Sequence, residues 1–210
     1  LMNYFREFNE RFTTETGERT RSYYSGFRTD KFDTKESKPE VEDKSIEKTN
    51  ETKDEKHIPD WLKMEVQTSI FDTECANCLA QRASSKETPS RKWDDVKSTL
   101  AKIDTSKLHY VKVPENHIVI DFDIRDESGN KSFEKNLEAA EKWPPTYAEL
   151  SKSGAGIHLH YIYSGDVSKL SRVYDDDIEV KVFTGKSSLR RMLTKCNNLP
   201  IATISSGLPL

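Results

Sequence analysis

The sequence predicts an α+β domain, a sheet layered with helices, and three observations carry that expectation. Residues 117–125, 157–163 and 177–183 alternate apolar and polar side chains with the period of two that a strand imposes. Between the strands lie apolar residues three and four apart, the spacing of an amphipathic helix: Trp93, Val96, Leu100 and Ile103, then Phe133, Leu137 and Ala140. The aromatic share of 10% can build a core, whereas only 34% of residues are apolar and 33% are charged, so part of the chain is expected not to pack.

The chain is expected to divide into 1–33, 34–56 and 57–210. In 1–33, Phe5, Phe8 and Phe12 share one helical face. An N-terminal aromatic-rich helical segment packed on a neighbour is expected there, with base stacking as the alternative. In 34–56 only Val41 and Ile46 are clearly apolar, too few to offset ordering entropy, so a charged flexible linker is expected. Globular patterning begins at His57. Ile58 to Ile70 reads as a helix or an irregular apolar segment, and Gln81 to Arg91 as a polar loop. Leu108, Tyr110, Val111 and Val113 read as a strand stopped by Pro114. Trp143-Pro144-Pro145 ends the second helix.

A net charge of −3 gives no global pull on nucleic acid, so any basic surface is local. No apolar run approaches the ~20 residues of a membrane span and no signal peptide opens the chain, so a cytoplasmic protein without a membrane partner is expected. The ends, Leu1 and SGLPL, read as those of a fragment of a longer protein. Three cysteines argue against a disulfide scaffold, and Cys75-x-x-Cys78 is half a zinc site without a second pair, so zinc is not expected.

The chemistry sits on the polar faces of the three strands. In the first, Ile118, Ile120, Phe122 and Ile124 point one way and Asp121 and Asp123 the other, about 6.5–7 Å apart, so both carboxylates can lean toward one small cation. A chance acidic strand face is the plain alternative. Removing both carboxylates leaves the apolar face untouched and is expected to cost little stability. In the second, His158 and His160 share the polar face after Ser151-Lys152-Ser153-Gly154-Ala155-Gly156. Gly154 and Gly156 allow close backbone approach to a triphosphate and Ser153 offers a hydroxyl, although an ordinary glycine turn has the same composition. In the third, Glu179 and Lys181 are polar. Lys181, Lys186, Arg190, Arg191 and Lys195 follow without an intervening acid, a layout in which cations hold phosphates and carboxylates hold a metal.

These segments resemble the archaeo-eukaryotic primase superfamily, most closely the primase-polymerases of phages and plasmids. VIDFD resembles its first motif, SKSGAGIH its second and IEVKVF its third; RASSKETPSRKWDDV and FTGKSSLRRML are similar to flanking segments, and the likeness covers about residues 80–195. The resemblance implies a sheet of the RNA-recognition type, antiparallel or mixed, with flanking helices. It implies Asp121, Asp123 and Glu179 as ligands of two Mg²⁺ or Mn²⁺ ions, although many relatives carry Asp at the third position. It implies Ser153, Gly154, Gly156, His158 and Lys181, with Arg190 or Arg191, at the incoming nucleotide, and Arg82 and Lys86 near nucleotide or template. A single-stranded DNA template, an NTP or dNTP and a helicase, fused C-terminally or separate, are the implied partners. Phage or plasmid DNA replication, in the host cytoplasm if phage-encoded, is the implied setting.

Two rival readings remain open at this point. His158-Leu159-His160 also matches the metal motif of rolling-circle nicking endonucleases, with Tyr174 as a poor candidate nucleophile. A catalytically silent nucleic-acid-binding module is the other, against which stand carboxylates that repel phosphates.

Overall fold

The computed structural model describes residues 58–205, all within one compact unit, Lys53–Leu210. The aromatic segment 1–33 and the linker 34–56 lie outside the described residues. The fold is mixed α+β, with mostly antiparallel strands and few helices.

Six strands form the main sheet. At its centre β3 (His117–Phe122) lies between β5 (Ile157–Tyr163) and β7 (Ile178–Val182), antiparallel to both. One edge is β6 (Val173–Asp175), paired with β7. On the other side β5 carries two short strands along the same edge: β4 (Ala148–Leu150), antiparallel, at its start, and β9 (Ala202–Ile204), parallel, at its end. A second sheet joins β1 (Ala80–Arg82), β2 (His109–Val111) and β8 (Leu189–Arg191), all antiparallel.

Every residue of β3 is buried. Ile118, Ile120 and Phe122 pack with Leu137 and Ala140 of a helix we label α2 (Phe133–Ala140) and with Trp143. Val119 faces the opposite way, into a second cluster with Phe71 of the short helix α1 (Ile70–Glu74), Val111 of β2 and Leu189 of β8. Alternation along β3 therefore marks a strand covered on both faces rather than one apolar and one solvated face. The polar face expected beside Asp121 is roofed by α1 and the small sheet. Among the described residues no helix is long and apolar enough to cross a membrane.

The helix expected over Trp93 to Ile103 does not form. Two separate 3₁₀ turns stand there, Trp93–Asp95 and Leu100–Lys102. The amides of Leu100 and Ala101 donate to the carbonyls of Cys78 (2.9 Å) and Ala76 (3.0 Å), and that of Ala80 to Ser98 (2.9 Å). The segment satisfies its backbone against residues 76–80 instead of its own preceding turn. Val96 and Leu100 are nonetheless buried, so helical spacing reported burial without reporting a helix. The region from Ile58 to Ile70 is the irregular segment of the two alternatives, with one 3₁₀ turn at Asp60–Leu62. The helix at Phe133–Ala140 forms; its N-cap is Ser132, whose hydroxyl accepts from the Lys135 amide (3.3 Å).

Candidate active site

Strand register builds the site. Glu149 of β4 pairs with His158 of β5, His158 with Asp121 of β3, and Asp121 with Glu179 of β7. Directly opposed residues project to the same face, about 4.5–5.5 Å apart at Cβ. One row of Glu, His, Asp and Glu thus crosses four strands. Asp123 extends it one pleat along the chain, just past the end of β3. Asp121, Asp123, Ser153, His158, Lys181 and Arg190 line one open cleft of about 430 Å³. Glu179, Gly154, Gly156, Arg82 and Lys86 do not line it.

Protein cations neutralise the two central carboxylates. Lys181 Nζ holds Asp121 Oδ2 and stands 3.8 Å from Glu179, while Lys131 Nζ holds Asp123 Oδ1 at 2.6 Å. The Nε2 of His158 lies 3.1 Å from Asp121 Oδ1 but out of line for a hydrogen bond, leaving that buried oxygen without a hydrogen-bond partner. Burial alone would raise the Asp121 carboxyl, yet His158 and Lys181 hold it far below the carboxylate range. Burial likewise opposes charge on His158, but Asp121 and Glu149 outweigh it and push its pKa up to about 9. Asp121 and His158 therefore both carry charge near neutrality. Asp121 is 5% exposed and paired, so the expectation that it can be removed at little cost is corrected: its loss breaks a buried ion pair. Asp123, with a 39% exposed side chain, is the carboxylate that can be changed cheaply.

The serine-glycine loop closes against β3. Ser151 Oγ accepts from the Gly156 amide (3.0 Å) and bonds Ser153 Oγ (3.0 Å). Buried Asn136 of α2 pins the loop, accepting from the Ile124 amide and donating to the Ala155 carbonyl, both at 2.8 Å. Gly154 takes φ +78°, a conformation that glycine adopts without strain. At Gly156 the constraint is space: a Cβ there would lie 2.8 Å from Asp123 Oδ1 and 3.1 Å from the Phe122 carbonyl.

The two adjacent arginines have different places. Arg190 is half exposed and pairs with Glu87 (2.6 Å), which also holds Lys152 of the loop (2.5 Å). The Arg191 side chain is fully buried; it bonds Glu149 (2.8 and 3.1 Å) and Asp72 (2.5 Å) and stacks on Phe71. Both arginines line the cleft, but of the two only Arg190 has an exposed side chain. Arg82 and Lys86 are exposed, on β1 and in the loop that carries Glu87.

Behind His158 lies a buried polar network. Tyr147 donates to Glu149 (2.9 Å), and His160, fully buried, places Nε2 3.4 Å from Glu149 and Nδ1 3.0 Å from His117. Burial tends to raise the Glu149 carboxyl, but Arg191, His158 and His160 hold it well below its usual range. Burial lowers His160 despite Glu149, and lowers His117 with help from His160. The histidine pair read as one polar face is thus split: His158 is at the cleft and His160 in the interior.

Sequence reasoning missed Glu149, Asn136, Lys131 and Lys152. Lys152 lies inside the serine-glycine motif, where its charge was legible. Lys131 and Asn136 reach the site only through a turn and a helix whose placement no local pattern specifies. Among the described residues, no group of three or more His, Cys, Asp or Glu is arranged to hold a metal ion. Cys75, Cys78 and Cys196 are free thiols, and burial with Cys78 alongside pushes Cys75 up to about 12. No protein-family model and no curated protein matches this chain.

Proposed function

We propose that this chain is the catalytic domain of a DNA primase-polymerase of the archaeo-eukaryotic type, performing template-directed, divalent-metal-dependent nucleotidyl transfer in phage or plasmid replication. The observation that carries the reading is the pair Asp121 and Asp123 at the floor of a cleft rimmed by Ser153, His158, Lys152 and Arg190. On this reading the main sheet is the RNA-recognition-type core, the setting is the cytoplasm, and a helicase opens the template.

The donor chemistry, though not a gathered set of three ligands, suits Mg²⁺ or Mn²⁺. All three carboxylates offer hard oxygen donors, Asp121 Oδ1 is a buried acceptor without a donor, and two lysine ammoniums already stand where positive charge is needed. Asp121 and Asp123 would hold the metal. Glu179, 64% exposed beside Asp121, would join them, and phosphate oxygens would complete the shell. When bound, such ions make a 3′-hydroxyl a better nucleophile and neutralise the leaving pyrophosphate.

The chain's own side chains position the substrate. Ser153 and His158 donate to phosphate oxygens, and charged His158 adds electrostatic stabilisation as charge builds on the leaving group. Lys152 and Arg190 bring two more cations, at present shared with Glu87. Lys131 and Lys181 are within reach of the same phosphates once their carboxylates are otherwise neutralised. No side-chain nucleophile is required. The Tyr174 ring packs at 60° against Trp143 (ring centroids 5.0 Å), which belongs to the cluster on the α2 side of the sheet, so Tyr174 is poorly placed as a nucleophile beside His158.

The deciding experiment incubates the full chain with single-stranded DNA, labelled nucleotides and Mg²⁺ or Mn²⁺. Template-dependent extension is expected. A covalent DNA–tyrosine adduct would instead mark a nicking enzyme, and DNA binding with neither product would mark a binding module.

A further inference from the structure

Glu149 is the member of the cross-strand row that lies buried beneath the cleft, while its neighbours His158 and Asp121 line it. Its carboxylate is almost wholly buried, and its Oε1 is shared: 3.1 Å from Arg191 Nε, 3.4 Å from His160 Nε2 and 3.9 Å from His158 Nδ1. Tyr147 and Arg191 hold its Oε2 at 2.9 and 2.8 Å. Arg191 is fixed in turn by Asp72, Ser69 and Tyr147. A buried ion pair of this kind is weak evidence of stabilisation, because apolar side chains of the same volume often do as well. The arrangement does have one consequence beyond packing. It sets a rigid negative charge on the Nδ1 side of His158, while Asp121 faces its Nε2 side.

We propose that Glu149, anchored by Arg191 and Tyr147, is a positioning residue that orients the His158 imidazole across the sheet, so that Nε2 is presented at the cleft beside Asp121. The inference rests on the proposed function for what His158 then contacts, the phosphates of an incoming nucleotide. Its geometric content, that Glu149 sets the ring's orientation, stands apart from that reading. A flanking carboxylate at the far nitrogen fixes ring orientation, as such partners do for metal-bound histidines, where their loss costs about 10–100-fold.

The test compares Glu149→Gln, His158→Gln and the double variant in the full chain. Asp72→Asn serves as control: it removes the other carboxylate on Arg191 without touching His158. The first readout is the orientation of the His158 ring in metal-free protein, taken by NMR from the Overhauser contacts of its ring protons. The second is kcat and KM for the nucleotide. Glu149→Gln is expected to scatter the ring orientation and to lower kcat/KM by about 10–100-fold. The double variant is expected to be no worse than His158→Gln alone, because Glu149 acts through that ring. Asp72→Asn is expected to lower the melting temperature while leaving the ring and kcat/KM unchanged. Should Glu149→Gln fail to fold, Glu149→Asp keeps a charge for Arg191 while withdrawing it from His158, and the same signature is expected. An unchanged ring in the folded variant, losses that multiply in the double variant, or an equal loss in Asp72→Asn overturns the proposal. If the wild type extends no template, the proposed function fails, and the ring orientation alone still decides the role of Glu149.

Discussion

Gly156 and Gly154 lie two residues apart in one loop and carry different demands. Gly154 is held by its backbone angle, with open space around it; Gly156 is held by the approach of the loop to Asp123 and the Phe122 carbonyl. Gly154→Ala is therefore expected to cost about 1–2 kcal/mol of strain and to leave Asp123 in place. Gly156→Ala is expected to cost about 1–3 kcal/mol and to displace the Asp123 carboxylate, lowering extension activity well beyond the effect of Gly154→Ala. Urea unfolding and the extension assay check both; a Gly156→Ala variant as stable and as active as wild type contradicts the contact. A glycine-rich motif was readable in the sequence, but not which glycine is steric and which conformational, since the first property depends on a residue more than thirty positions away. The adjacent pair Arg190 and Arg191 poses the same problem. Strand alternation puts them on opposite faces, but only the cover of α1 and Glu149 decides which is interior.

At the scale of the element, β3 was legible as a strand, as were β5 and β7, because each keeps apolar side chains at every second position. Burial of β3 on both faces was not, because Asp121 and Asp123 read as a polar face and only the packing of α1 and β2 on Val119 covers it. The lost helix over Trp93 to Ile103 has a similar origin: apolar spacing records contact with a core, not the backbone path that makes it. The buried histidines have a measurable consequence. His109, His117 and His160 are interior, and burial lowers the pKa of each. Folded chains then bind fewer protons than unfolded ones below the ordinary histidine pKa of about 6.5. Their contribution to stability is complete above that pH and is lost as the pH falls below it. His158, whose folded pKa is about 9, is charged in both states below about pH 6 and does not offset the loss. We expect the melting temperature of metal-free protein to fall from about pH 6 to pH 5, below the window in which His158 opposes it. A flat melting temperature over that range contradicts neutral interior histidines.

At the scale of the whole molecule, long-range register turns scattered motifs into a site. D-x-D, H-x-H and E-x-K lie far apart in sequence, and strand order β5-β3-β7 makes them neighbours. That adjacency was expected only through resemblance; nothing local dictates which strands pair. On the proposed function the chemistry depends most on the two aspartates, and Asp123, with its 39% exposed side chain, is the one whose loss leaves the core intact. The most direct test of the account is template extension by full-length Asp123→Asn with Mg²⁺ or Mn²⁺, beside its melting temperature. The account predicts a melting temperature within a few degrees of wild type, as for a partly exposed ion pair, and a loss of synthesis of about 10³-fold or more, the scale of removing a principal electrostatic contact to the transition state. A variant that folds and extends template at the wild-type rate would contradict it.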